Sequence, residues 1–431
     1  MFVPRSARRV RFARAAFVLA VLLPSAALVA WAVHRHSAAH RDAIRSAWEQ
    51  TLGVPVTVES VEHPLPGVVR ARGCALGAAD GRPLRATGAV RVEHSPTEVR
   101  VAIDAIDCDA AGAVLLAGLA DDWLWRGPRF RRDVVVDVAD FAWVVPGGDG
   151  RDDRRPLGPV RIECVEKGGD RAVRVVRRDA HEGGDEVRIV RAGVDGADGD
   201  RIEVDASCAE PVPVPILGAV WGRSAGVPWP LGGAAAVRGR LTAVLAGGRW
   251  SGSAAGRVEG VDLAACTGGF TARASGTMDV AVRQVEWRGG RLATAELACD
   301  VTGGKIDQRL LDGLVSTLGC RAGAAYVGAA VERDRAFDAA GCEIRVDGRG
   351  IEVGGAARLG GALAVTGGRP LLEAPAGIVP PERLAWLLAP SGAVYVPSSG
   401  PGSWLMSILP RGGAAVERTS QAAPDAGSGG F

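Results

Sequence analysis

The sequence lacks the short cysteine spacings of metal and redox motifs. Because its eight cysteines lie at least 21 residues apart, no CxxC pair occurs, and a zinc ribbon or thioredoxin-like motif is excluded. In an oxidising compartment eight cysteines allow about a hundred disulfide connectivities, and otherwise they pack as small buried hydrophobic residues. The sequence leaves both interpretations open. The cysteines are Cys74, Cys108, Cys164, Cys208, Cys266, Cys299, Cys320 and Cys342.

Catalytic motifs are also missing. The segment Gly222–Gly226 matches the GxSxG pattern of a hydrolase nucleophile elbow, but Pro228 and Pro230 oppose the helix that must follow the serine. The last histidine, His181, precedes Ser224, whereas that mechanism needs a later histidine. Walker, dinucleotide-binding and HExxH motifs are absent. We therefore expect no enzyme, no catalytic residues and no cofactor.

Metal ligands are not grouped in the sequence. His36 and His40 are four residues apart, but only Asp42 stands nearby as a different ligand type. These histidines follow an apolar run and are typical of polar residues at a membrane interface. Farther along, Asp121 and Asp122 precede two tryptophans and indicate a loop packed by aromatic residues. We expect no metal site.

Charge is distributed unevenly along the chain. Residues 1–41 hold seven arginines and no acidic residue, which leaves 44 basic against 49 acidic residues in the remainder. A remainder with a slight negative excess has no electrostatic footprint for nucleic acid. We therefore expect no nucleic-acid partner, and the basic N-terminus points to a membrane instead.

The longest apolar run is Ala15–Val33, nineteen residues without a charge. As a helix it is about 28 Å long, close to the hydrocarbon thickness of a bilayer. The cationic segment 1–14 then stays in the cytoplasm, and the bulk of the chain lies on the other side of the membrane. Pro24 is expected to kink the helix. A cleavable signal peptide is the alternative, with Ala30-Trp31-Ala32 as a loose cleavage site.

Beyond this run the hydrophobic period changes from helical to alternating. Ile44, Trp48 and Leu52 predict a short amphipathic helix over Arg41–Leu52 that ends at Gly53. Further on, every second residue is apolar over many short segments that are separated by glycine-rich turns, which predicts a β-meander. The apolar rows include Val99, Val101, Ile103; Ile202, Val204; Ala293, Ala295, Leu297, Val301; and Ile344, Val346.

The predicted fold class is mainly β: an N-terminal transmembrane helix, then an extended, curved antiparallel sheet that forms a groove-like meander, with a few short amphipathic helices. Two of these helices are expected at Ile306–Leu318 and Pro380–Leu388. The expected divisions are a basic tail 1–14, a transmembrane helix 15–33, β-rich segments 41–210 and 211–375, a C-terminal helical cap 376–411 and a disordered tail 412–431.

The order of parts resembles one family. The basic tail, the apolar helix, the pair Leu52-Gly53, the alternating segment Val54–Val61 and the turn Pro66-Gly67 are similar to the N-terminal region of AsmA-like proteins. These are bacterial inner-membrane proteins with a large β-rich part outside the cytoplasm. The similarity covers about residues 1–110, and a looser one covers about residues 200–370. The family has no catalytic residues to compare.

The resemblance implies an open, curved sheet whose concave face is a hydrophobic groove for lipid acyl chains, used in lipid transport or envelope maintenance. The expected partners are membrane lipids and other envelope proteins. The apolar rows given above are then the candidate groove residues. A closed core that makes the chain a membrane-tethered structural or interaction module, with no lipid ligand, is the alternative.

Overall fold

The computed structural model describes residues 7–77, 84–125, 132–145, 152–178, 184–192, 201–214, 216, 231–268, 273–326 and 334–387. Strands make up 58% and helices 25% of them, so the prediction of a mainly β chain with an N-terminal apolar helix and a few short helices is confirmed. The chain divides into two units, Met1–Gly193 and Val194–Phe431. The expected disordered tail and most of the expected helical cap lie outside the described residues.

The N-terminal helix is continuous but changes its winding before a proline. It consists of α1 (Ala7–Phe17), a π-helical turn (Val18–Leu22) and α2 (Leu23–Arg35). Pro24 has no amide hydrogen to donate, and just before it the Leu23 N–H reaches back five residues to the Val18 carbonyl. The part from Arg14 to Arg35 is long and apolar enough to cross a membrane, and none of it is buried against the rest of the chain.

The predicted amphipathic helix is present as α3 (Ala38–Leu52). The Ser37 side chain accepts a hydrogen bond from the His40 amide at the N-terminus of this helix. Gly53 ends it with a φ of 71°, a left-handed conformation that glycine adopts without a steric cost. The alternating segment Val54–Val61 does not form a single strand: Val56–Thr57 and Ser60–Leu65 are separate strands.

The sheet of the first unit contains one parallel pair, which corrects the expectation of a purely antiparallel meander. Strands β6 and β7 run parallel, and all other neighbours described in this unit run antiparallel. The order follows β2–β3–β5–β6–β7–β8–β9–β10, and β1 pairs with β4, which pairs with β5. The strands are β1 (Val56–Thr57), β2 (Ser60–Leu65), β3 (Val68–Arg72), β4 (Ala75–Leu76), β5 (Leu84–His94), β6 (Glu98–Cys108), β7 (Asp133–Val145), β8 (Asp153–Lys167), β9 (Asp170–Arg177) and β10 (Glu186–Ala192).

The parallel pair exists because a helix crosses between its strands. This helix, α4 (Ala110–Trp125), begins where the Asp109 side chain accepts a hydrogen bond from the Gly112 amide. Asp121 and Asp122 therefore lie in the last turns of a helix, and the loop predicted there is wrong. The helix was missed because its sequence is apolar on every side and shows no 3.6-residue period.

The second unit is antiparallel among its described strands. Its order follows β11–β12–β13–β14–β15–β17, and β17 pairs with both β18 and β19, while β19 pairs with β20 and β20 with β16. The strands are β11 (Arg201–Pro213), β12 (Ala236–Ala246), β13 (Arg249–Asp262), β14 (Ala274–Arg288), β15 (Arg291–Asp307), β16 (Arg321–Ala322), β17 (Asp334–Asp347), β18 (Gly350–Gly355), β19 (Ala362–Thr366) and β20 (Arg369–Glu373).

Short helices interrupt the second unit. They are α5 (Leu263–Thr267), α6 (Gln308–Ser316), a 3₁₀ turn (Ala357–Leu359) and α7 (Pro381–Leu387). The two sequence-predicted helices, Ile306–Leu318 and Pro380–Leu388, correspond to α6 and α7. The tight turn between β14 and β15 uses Gly289 and Gly290 with φ values of 59° and 80°, as the double glycine predicts.

Candidate functional site

Each unit has one sheet face on which apolar side chains predominate. In the second unit, residues directly opposite each other on neighbouring strands point to the same side. Starting at Cys208, the row of opposed residues crosses seven strands from β11 to β18 and contains no charged side chain. Its members are Cys208, Gly239, Gly256, Val282, Leu297, Ile344 and Val353.

The opposite face of the second unit carries paired charges. Arg257 contacts Asp279 at 3.1 Å, and Arg283 reaches Glu296 at 3.2 Å and Glu343 at 3.1 Å. Hydrogen bonds from Arg283, together with Arg345, hold the pKa of Glu296 below its usual value. A face of this kind is stable in water, so the two faces of this sheet have opposite solvent preferences.

Burial of the second-unit apolar face is not uniform. Around β15, β17 and β18, helix α6 contributes the fully buried Leu311, and Leu371 of β20 is also fully buried in the same cluster. Across β11–β14 the apolar face holds buried side chains, among them Ile202, Ala243 and Val261, and partly buried ones, among them Val204, Leu241 and Val282. The face therefore has a closed end beneath α6, and over β11–β14 some of its side chains stay partly accessible.

The first unit has an equivalent apolar row, which runs from β3 to β10. It crosses the parallel pair without interruption because parallel partners also share a face. All seven members are aliphatic: Val69, Val92, Val101, Val136, Ile162, Val175 and Val187.

Two helices pack on parts of this first-unit face. Trp48 of α3 packs on the cluster of β3, β5 and β6. Trp123 and Leu124 at the end of α4 pack on Val173 of β9. The Arg191 guanidinium donates to the Leu124 carbonyl at 2.9 Å and so satisfies a helix C-terminus.

The sheet of the first unit is tied closely to the end of the apolar helix. Only the Ser37 cap and α3 separate α2 from β1, and the Glu49 carboxylate accepts a hydrogen bond from the Val56 amide at 3.1 Å. At the same joint, His40 Nε2 and His63 Nε2 lie 2.8 Å apart, which joins α3 to β2. Burial, then the positive charge of neighbouring groups, lowers the pKa of both imidazoles.

We expect this joint to weaken as pH falls below about 6.5, because the unfolded histidines bind protons there while the folded pair resists protonation until lower pH. Its contribution to stability is therefore fully present above that value. Thermal unfolding in detergent at about pH 8 and about pH 5 should show a larger drop in the wild type than in His63→Gln. His94→Gln, an exposed histidine on β5, is the matched control and should behave like the wild type. Equal drops in the wild type and His63→Gln would contradict the role of the pair.

The structure brings the sequence-predicted groove residues together in two groups. Val99, Val101 and Ile103 pack against the β3 and β5 cluster of the first unit. The others belong to the second unit, where Ile202 and Val204 lie on β11 opposite β12. On β15 and β17, Ala295 is the direct partner of Val346, and Leu297 is the direct partner of Ile344. Val301 belongs to the buried cluster that contains Leu311. Ala293 lies at a bulge between Leu292 and Thr294 and interrupts the regular row.

Sequence reasoning missed the central apolar residues of the second-unit face. Leu241, Val258, Val280 and Val282 continue the face across β12, β13 and β14. The alternating segment from Val237 to Leu245 carries the period-two signal that could have found the first of them.

Within the described residues, no group of three or more histidine, cysteine or acidic side chains is placed to hold a metal ion. Neither apolar row brings together a nucleophile and a base.

A comparison of the chain with protein-family models, curated proteins and solved structures finds no match.

Proposed function

We propose that this chain is a membrane-anchored protein of AsmA-like type that binds lipid acyl chains on its apolar sheet faces and serves lipid transport or envelope maintenance. The observation that carries the proposal is the uncharged seven-strand row of the second unit, all of whose members are only partly buried. Extended apolar patches on soluble proteins usually mark interaction or ligand sites.

The dimensions and chemistry of the row favour acyl chains over a compact polar ligand. Seven strands at about 4.8 Å spacing extend about 29 Å, roughly twice the hydrocarbon thickness of one leaflet. Small-molecule sites usually contain a few polar groups that fix orientation, and the described row has none of charged type. Gly239 and Gly256 face each other within it, so neither strand contributes a side chain at that point of the face.

The proposed location follows from the N-terminal helix. The Arg14–Arg35 span fits a single membrane crossing, and the basic residues before it favour a cytoplasmic N-terminus with both β-rich units in the periplasm. With only α3 between the span and β1, the first-unit face begins close to the membrane surface and could receive acyl chains from the outer leaflet. Cleavage of the helix as a signal peptide would remove this route.

A closed interaction module remains the second candidate, and one observation favours it. Leu311 and Trp123 show that helices cover parts of each apolar face, as they would in an ordinary protein core. In this case the faces serve folding, and the polar surfaces bind a partner protein.

Lipid extraction tests the proposal. The full-length protein, purified in detergent and washed extensively, should retain at least about one phospholipid per chain by mass spectrometry, beyond a single-pass control protein purified in parallel. Lipid at or below the control level would contradict acyl-chain binding.

Carbonate extraction of the membranes, combined with mass spectrometry of the intact protein, tests the anchor separately. An uncleaved chain stays in the membrane pellet, whereas a shortened, released chain indicates a signal peptide.

A further inference from the structure

Two of the eight cysteines face each other directly across neighbouring strands. Cys299 on β15 is the register partner of Cys342 on β17, with regular pairing on both sides. Directly opposed residues of antiparallel strands have Cα atoms about 4.5–5.5 Å apart, which lies inside the range of a disulfide. The other strand cysteines face different residues: Cys108 faces Trp143, Cys164 faces Val134 and Val173, and Cys208 faces Gly239.

We propose that Cys299 and Cys342 form an intramolecular disulfide that links β15 to β17 on the apolar face. The sequence left about a hundred pairings open, and the strand register selects this one. The assignment does not rest on lipid binding, because the register exists whatever the face binds. The bond would close a loop of 42 residues, which includes α6 and the buried Leu311.

The surroundings of the two thiols suit this chemistry. A hydrogen bond between them lowers the pKa of Cys299, and the same bond followed by burial raises the pKa of Cys342. By contrast, burial raises the pKa of Cys164 to about 12 and that of Cys320 to about 11. The hydrogen bond favours the thiolate form of Cys299, and the thiolate is the attacking species in disulfide exchange. Neither Cys299 nor Cys342 is fully enclosed.

The oxidant is a disulfide-bearing compound or protein. The Cys299 thiolate attacks one of its sulfur atoms, the S–S bond of the oxidant breaks, and one thiolate leaves and takes a proton from water. Cys342 then loses its proton to water and attacks the Cys299 sulfur of the mixed disulfide, which releases the second thiolate. The two cysteines lose two electrons and two protons in total, and the oxidant is reduced to two thiols.

Peptide mapping tests the assignment on the full-length protein. The reduced protein in detergent is treated with oxidised glutathione, free thiols are alkylated, and the chain is digested with trypsin without reduction. Cys299, Cys320 and Cys342 fall in separate single-cysteine peptides, 292–305, 310–321 and 336–345. We expect a linked pair of 292–305 with 336–345, while the other six cysteines are alkylated. Alkylation or glutathione adducts on both peptides, or a link from Cys342 to Cys320, would overturn the proposal.

A thermal measurement provides a second readout. Oxidation should raise the unfolding midpoint by roughly 5–10 °C, and dithiothreitol should reverse the rise. Cys342→Ser should abolish the rise, whereas Cys208→Ser on the same sheet should retain it. A rise of equal size in Cys342→Ser would assign the effect to other cysteines and refute the pairing. The peptide map of the wild type decides the question even if Cys342→Ser folds poorly.

Discussion

We expect Leu311→Ala to lower the free energy of unfolding of the second unit by about 2–5 kcal/mol. Leu311 is fully buried and lies where α6 packs on β15, β17 and β20. The truncation removes several methyl and methylene groups from this cluster and leaves a cavity that the surrounding strands cannot fill completely. Denaturant unfolding of the full-length protein in detergent measures the change.

Leu310→Ala is the matched control, because it makes the same chemical change one residue earlier in the same helix. Leu310 is only partly buried and lies outside the cluster, so its truncation should cost less than about 1 kcal/mol. Equal losses for the two variants would mean that α6 does not close this end of the apolar face as described.

The second large effect is expected at Leu241. Its register partners are Ala206 and Ala254, so this leucine is the largest side chain at its level over β11–β13. Leu241→Glu places a carboxylate where acyl chains are proposed to lie, and burying it there without a partner costs several kcal/mol. Bound phospholipid should therefore fall by roughly tenfold or more, while the lipid-free protein loses less than about 1 kcal/mol of stability.

Thr242→Glu controls for the added charge. Thr242 is the next residue on β12 and points to the opposite, polar face, where its hydroxyl hydrogen-bonds Ser253 at 2.9 Å. This variant should retain wild-type amounts of lipid. A charge buried in a closed core would lower the free energy of unfolding by about 4 kcal/mol or more. If Leu241→Glu unfolds the protein in this way, the result refutes the open face and favours the closed-module alternative.

Local patterns in the sequence predict most of the elements. Strands β11, β15 and β17 follow from strict alternation, since a period of two places one set of side chains on one face. Helix α3 follows from its apolar spacing and from Gly53, which ends it. These features depend on neighbouring residues, so they are readable without the fold.

What the sequence could not predict depends on distant contacts. The parallel pairing of β6 and β7 requires α4. The sequence of this helix is apolar on every side, so its pattern does not distinguish a helix from a loop packed by aromatic residues. The covering of one end of the second-unit face depends on where α6 packs, which its own pattern does not specify. Likewise, Cys299 and Cys342 become partners only through the register of two strands with 42 residues between them.

The candidate groove residues differ in how they pack, again because of contacts between distant parts of the chain. Alternation identifies Leu297 and Ile344 as equivalent, and they are direct partners. Ile344, however, packs against the cluster that contains Leu311, whereas Leu297 lies outside it. The amphipathic pattern therefore predicts which side of a strand is apolar, but only the packed structure separates residues of a closed core from residues that remain accessible to a ligand.

Photochemical crosslinking tests acyl-chain binding most directly. Full-length protein is reconstituted with a phospholipid that carries a diazirine at mid-chain, irradiated, digested and mapped by mass spectrometry. We expect adducts on apolar-face residues of β11–β14, such as Leu241, Val258 and Val282, and far fewer on the polar neighbours Thr242 and Arg257. Adducts confined to the Arg14–Arg35 helix would contradict this expectation, because the lipid would then contact only the membrane span.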